Sequence, residues 1–260
     1  MRERSANNLF GNDPMKKQNA LKKSIIIILS VLTVGALICA SCLLFMLDAC
    51  EADDNAVEAF AQVGSVTYTV KDNTTVFYPE GAKKAFIFYP GAKVEHEAYI
   101  PLMQSLSEKG VLCILVEMPL YFPLIDADAA DSIIEDYPEI KEWYIGGHSL
   151  GGYAASLYLE DNAEKYEGFI LLASYSGVDL TKSDLSVLSI YGTEDDVLNL
   201  ERYREGLELL PEDHREVIID GGCHTYFGTY TGQDEKLSKI TNEEQLYRTV
   251  TEIVDFMSVE

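Results

Sequence analysis

From about residue 64 onward the chain alternates short apolar runs with longer stretches whose apolar positions recur every three to four residues. Val66–Val70 and Thr75–Tyr78 read as paired strands around a turn at Lys71–Asn73. Ala85–Tyr89, Val111–Glu117, Glu142–Ile145, Gly168–Ala173, Val187–Tyr191 and Glu216–Asp220 read as further strands. Helices are predicted over Glu97–Lys109, closed by Gly110, over Asp126–Asp136, over Leu150–Leu159 and over Leu200–Leu210 before Pro211. A last helix starts at Thr241, where Glu244 stands three residues on as a capping box. Leu246, Val250, Ile253, Val254 and Met257 then form one apolar stripe. Short strands alternating with helices predict an α/β fold, with a mostly parallel sheet and helices on both faces.

The N-terminal pattern is different. Ser24–Leu47 carries no charge and shows no period. As a helix this stretch rises about 36 Å at ~1.5 Å per residue. A hydrocarbon core is ~30 Å thick, so one slightly tilted span fits. A cleaved signal peptide is the rival reading, but its apolar region is typically only ~7–15 residues. Cys39, Cys42 and Cys50 raise a lipid-anchor variant, although the residues before each match the usual small-residue cleavage pattern poorly. Lys16, Lys17, Lys22 and Lys23 precede the span, and Asp48, Glu51, Asp53 and Asp54 follow it. The positive side stays cytoplasmic. The expected organisation is a cytoplasmic tail over 1–23, a transmembrane helix over 24–47, a linker over 48–63 and an extracytoplasmic domain over 64–260.

Charge narrows the partners. The net charge is -23 over 260 residues, and the acid is concentrated beyond the span. Such a body argues against nucleic acid and against adhesion to anionic headgroups. It also disfavours strongly anionic substrates at long range, so an uncharged or cationic small molecule is the expected substrate. Five cysteines do not make a disulfide scaffold, and Cys113 and Cys223 are expected as free thiols, although an outside location permits a bridge. No His/Cys/Asp cluster has metal-ligand spacing, and no phosphate loop with its lysine is present. Neither a metal nor a cofactor is expected. Oligomeric state is not legible.

The chemistry concentrates at Gly146-Gly147-His148-Ser149-Leu150-Gly151-Gly152, directly after the run Trp143-Tyr144-Ile145. A strand that turns sharply into a helix lifts the serine hydroxyl clear of the sheet. That hydroxyl needs a base, and the base needs an orienting carboxylate. In open parallel sheets such groups collect at the carboxyl ends of strands. Glu194, Asp195 and Asp196 follow one later strand, and His224 follows the next. One of the three acids must face His224, with Glu117, at the end of an earlier strand, as runner-up. The N–H of Leu150, after the serine and at a helix start, is one candidate oxyanion donor. His148 is expected to be structural, while His96 and His214 are expected at the surface.

At Phe88–Ala92, Gly146–Gly152, Ser189–Asp195 and Gly221–His224 the chain resembles the alpha/beta hydrolase superfamily. It is most similar to the small bacterial members related to dienelactone hydrolases, over about 64–258. The resemblance implies an alpha/beta hydrolase fold. It implies Ser149 as nucleophile, His224 as base and Asp195 as orienting acid, because Gly-x-x-Asp matches the family spacing. It also implies Ala92 as the second oxyanion donor; Pro90 has no N–H. Ser174–Ser186 is too short for the cap found in larger relatives, so an open site is expected. Tyr121, Phe122 and Tyr175 are expected as an aromatic wall. The implied activity is hydrolysis of ester or related acyl bonds on a small-molecule acyl substrate. The rivals are an acyltransferase on the same three residues and a non-catalytic membrane-tethered binding protein.

Overall fold

The computed structural model describes residues 14–55, 57, 58, 66, 68–231 and 235–258. The expectations for residues 1–13 and for linker residues 56 and 59–63 lie outside the described residues. The chain divides into two units, 1–45 and 46–260.

In the first unit a single helix, α1, spans Pro14–Leu47. Proline at its first position has no amide to waste there. Within Leu21–Phe45 the most apolar eighteen residues have a mean hydropathy of 2.7, and none of them is buried. Its apolar side chains face outward all round the axis. Among the hydroxyls of the helix, that of Thr33 donates to Leu29 O at 2.8 Å, so it does not project an unsatisfied group. By length and composition this helix can cross a membrane. It begins ten residues before the apolar stretch.

The second unit is built on eight strands: β1 (Tyr68–Lys71), β2 (Thr74–Phe77), β3 (Lys84–Tyr89), β4 (Val111–Val116), β5 (Glu142–His148), β6 (Gly168–Leu172), β7 (Ser186–Gly192) and β8 (His214–Ile219). They lie in the order β1-β2-β4-β3-β5-β6-β7-β8. β1 and β2 join antiparallel, and every pairing from β4 to β8 is parallel. The sheet is covered on both faces. The period-two alternation of β3 sends Phe86 and Phe88 to one face and Ala85, Ile87 and Tyr89 to the other. Helices α2 (Ile100–Ser107) and α5 (Asn242–Ser258) cover the first face, the latter through the predicted stripe Leu246, Val250, Ile253 and Met257. Helix α3 (Leu150–Leu159) covers the second with Ala154, Ala155 and Leu159. Helix α4 (Leu200–Leu207) follows β7. Residues 173–185, between β6 and β7, hold neither helix nor strand, so no large cap exists there.

Several local expectations are corrected. Asp126–Asp136 is not a helix but a set of turns flanked by short 3-10 segments at Pro123–Ile125 and Ile134–Asp136. The buried Tyr89 hydroxyl donates to Ala127 O and accepts from Ala130 N–H, both at 2.9 Å. Backbone groups that a helix would have paired are thus taken by a sheet side chain. The stretch before Gly110 divides into a 3-10 turn, His96–Tyr99, and α2. The capping box is half formed. Glu244 N–H donates to Thr241 Oγ1 at 3.1 Å, while the Glu244 carboxylate turns to Arg248 at 2.5 Å.

Residues 50–53 form a strap on the folded unit. Cys50 N–H donates to Lys93 O at 2.6 Å, and Glu95 N–H returns to Cys50 O at 3.1 Å. Ala52 N–H donates to the Glu95 carboxylate at 3.0 Å. Asp53 N–H donates to Thr229 O at 2.9 Å. This short run therefore ties the loop after β3 to the loop after β8.

Candidate active site

β5 runs through His148 and stops at Ser149, whose backbone lies at φ 52°, ψ -124°. A non-glycine residue there carries strain of about 1–3 kcal/mol and persists only where its surroundings over-determine it. They do: Ser149 N–H donates to Leu172 O at 2.9 Å, and Ser149 O accepts from the Ser174 hydroxyl at 2.6 Å. The turn is tight enough to need its glycines. A Cβ on Gly147 would stand 2.4 Å from Tyr89 O, and one on Gly151 would stand 2.2 Å from Tyr89 O and 2.3 Å from Pro90 O. The loop after β3 therefore lies directly against the start of α3.

That loop presents one unengaged amide. Pro90 has none, Gly91 N–H donates to the Tyr99 hydroxyl at 3.1 Å, and Lys93 N–H donates to Tyr121 O at 2.7 Å. Ala92 N–H has no acceptor among the described residues, and neither does Leu150 N–H at the first position of α3. A first-turn amide has no intrahelical acceptor in any case.

On the other side, His224 Nδ1 lies 2.9 Å from Asp195 Oδ2, and the Asp195 side chain is fully buried. Its other oxygen accepts from Val197 N–H at 3.0 Å and Leu198 N–H at 2.8 Å. Three donors on one buried carboxylate fix its orientation. With Nδ1–H donated to Asp195, the second imidazole nitrogen, Nε2, is the basic one. Of the three consecutive acids, Glu194 turns to Lys239 at 2.5 Å and Asp196 is exposed. Glu117 is exposed beyond β4, with its amide on Asn73 O. The loop carrying His224 is clamped by Gln245 of α5, which accepts from Cys223 N–H at 2.9 Å and donates to Cys223 O at 2.8 Å. Cys113 and Cys223 are buried free thiols.

Ser149, Leu150 and His224 open onto one cleft of about 250 Å³. Tyr175 lines it, as expected, but Tyr121 and Phe122 do not. Tyr121 sits at φ 55° and faces the site only through its carbonyl, which props Lys93. The second aromatic wall is Tyr153 on α3, edge-on to Tyr175 with ring centroids 5.8 Å apart. Among the described residues no group of three or more His, Cys, Asp or Glu is arranged to hold a metal ion.

His148 is fully buried, while His214 is exposed. His96 is mostly covered and lies 3.1 Å from Glu97. The His148 ring lies 4.5 Å from that of His224, and its Nδ1 lies 2.8 Å from the Tyr99 hydroxyl. Burial, and then the neighbouring His224 imidazole, push the His148 pKa well below 6.5. Its folded value is therefore depressed below the unfolded one. Its contribution to stability is present above about pH 6.5 and is lost as pH falls below that point, by up to ~1.4 kcal/mol per pH unit for one proton. The loss ends once pH passes the folded-state value. Urea unfolding of the detergent-solubilised chain at pH 7.5 and 5.5 is expected to show this slope, and His148→Asn is expected to lack one proton's share of it. Equal slopes would refute the assignment.

Tyr99, Gln245, Tyr153 and the α4 end of the cleft escaped the sequence reading. They act through partners distant in sequence, and none carries a local motif. The sequence pattern of the alpha/beta hydrolase family matches residues 85–247. No curated protein matches. Among solved structures, a predicted CIB-like hydrolase from Thermoplasma acidophilum superposes with TM-score 0.55 at 17% identity, covering 74% of this chain and 99% of that one. The dienelactone hydrolase from Anabaena variabilis gives 0.57 at 16%, covering 74% and 97%. Est1E from Butyrivibrio proteoclasticus gives 0.54 at 14%, covering 75% and 100%.

Proposed function

The chain belongs to the alpha/beta hydrolase family, and on that premise we propose that it is a serine hydrolase of ester or related acyl bonds. It is held at the membrane by α1, with the hydrolase unit on the extracytoplasmic side. The observation that carries the reading is the convergence on one cleft of Ser149, strained at a strand-to-helix turn, and of His224, oriented by buried Asp195.

The chemistry follows from those groups. Ser149 Oγ bonds to the substrate carbonyl carbon as its proton passes to His224 Nε2. The carbonyl oxygen becomes an oxyanion and receives the N–H groups of Ala92 and Leu150, which have no other acceptor among the described residues. The bond to the leaving oxygen then breaks, and His224 returns the proton to it. Water repeats the sequence on the acyl-enzyme, with His224 again as base, and releases the acid. Asp195 holds the imidazole and stabilises its charged form without taking the proton. No step calls for a cofactor. The positive-inside charge pattern supports the sidedness.

A membrane-impermeant fluorophosphonate probe tests both parts on spheroplasts expressing the full chain. Labelling of the wild type and not of Ser149→Ala is expected. Labelling only after lysis would overturn the sidedness and keep the chemistry. A folded wild type that never labels, or an equally labelled Ser149→Ala, would overturn the chemistry.

A further inference from the structure

The cleft shared by Ser149 and His224 has lining residues that the hydrolytic reading leaves without a task. Tyr153, Tyr175, Val197 and Leu198 line it, together with Asn199 and Arg202 from the start of α4. Arg202 engages through its amide, which donates to the Asn199 side chain at 3.0 Å. Its guanidinium has no hydrogen-bond or ion-pair partner among the described residues. Arg215, Lys239 and Arg248 are each paired with a carboxylate, whereas Arg202, like Arg204 and Lys182, stands in no ion pair among the described residues. Glu201 and Glu205 are close to Arg202 in sequence, yet neither pairs with it.

Resting on the serine-hydrolase reading, we propose that Arg202 receives an anionic group of the substrate, so that the preferred esters carry a free carboxylate on a short apolar spacer. The long-range field of the acidic body opposes such a substrate, but beyond ~8 Å that field is largely screened at physiological salt. Arg202 lines the cleft itself, so a bound anion meets it inside the screening length. A guanidinium fork matches a carboxylate with two parallel hydrogen bonds. The Asn199 side-chain oxygen caps α4 by accepting from Glu201 N–H and Arg202 N–H, and the Ser174 hydroxyl donates to Ser149 O. A single guanidinium fork suits a monoanionic carboxylate. Tyr153, Tyr175, Val197 and Leu198 line the same cleft and suit methylene groups. Monoesters of short α,ω-dicarboxylic acids have this form.

The test compares monoethyl esters of C4–C8 α,ω-dicarboxylic acids with ethyl esters of the matching monocarboxylic acids. Turnover by the detergent-solubilised full chain is followed by pH-stat. At one chain length or more, the acidic ester is expected to be preferred at least tenfold in kcat/KM at low salt, and less in 0.5 M NaCl. Arg202→Gln is expected to remove at least tenfold of that ratio, and Arg202→Lys to retain part of it. Neutral esters cleaved through Ser149 with no acidic preference at any length would overturn this proposal alone, as would an unchanged ratio in Arg202→Gln. No turnover of either series, together with no fluorophosphonate labelling, would overturn the hydrolase reading and this proposal with it.

Discussion

His224→Ala is expected to lower kcat for a simple p-nitrophenyl ester by roughly 10⁴-fold, with KM changed far less. The reason lies in the pairing at Asp195. A serine hydroxyl is a weak nucleophile until a base takes its proton during attack. The His224 Nδ1–H is donated to a carboxylate that is itself pinned by two backbone amides, so Nε2 is the basic nitrogen. On the proposed mechanism alanine removes the base and leaves the oxyanion donors, so a residual rate above that of water should survive. The variant should still fold, because Asp195 keeps the Val197 and Leu198 amides as partners. Steady-state kinetics with a parallel urea melt checks both statements. An unchanged kcat in a folded variant would remove His224 from the mechanism.

Gly151→Ala is expected to be nearly as damaging by a different route. The added methyl would meet Tyr89 O at 2.2 Å and Pro90 O at 2.3 Å, both rigid backbone. Something must move, and overpacking of this kind costs about 1–3 kcal/mol, occasionally more. What moves is the loop carrying Ala92 away from the helix start carrying Leu150. Loss of one oxyanion donor typically costs about 10²–10³ in kcat. Gly110→Ala supplies the contrast. Its backbone is at φ 92°, but a Cβ there would meet nothing within 4 Å. It should lose stability through conformation alone and keep its rate. Thermal melts and kcat of the two variants separate steric from conformational cost. Equal rates would show that the close approach at Gly151 does not set the donor geometry.

Much of this architecture is legible in the sequence because it is written locally. Strands buried on both faces appear as unbroken apolar runs, and β4, Val111–Val116, is buried at every position. The turn at Ser149 announces itself through glycines that flank it within three residues. Legibility fails where a partner is remote. Nothing near Asp126–Asp136 shows that a tyrosine from β3 will take its backbone groups. Nothing near Tyr99 shows that its hydroxyl will sit between Gly91 and His148. Among Glu194, Asp195 and Asp196 the residues alone do not choose. Family spacing favours the middle one, and in the fold it is Asp195 that lies against His224 while its neighbours face Lys239 and solvent.

Mechanical load is the quantity that the strap at residues 50–53 governs. Tension carried along the backbone from the N-terminal side is delivered first to the carbonyls of Lys93 and Thr229, before any strand or helix bears it. One of those carbonyls is a neighbour of Ala92, and the other lies five residues beyond His224. The strap therefore couples the chain before residue 54 to the two loops that, on the proposed mechanism, carry an oxyanion donor and the base.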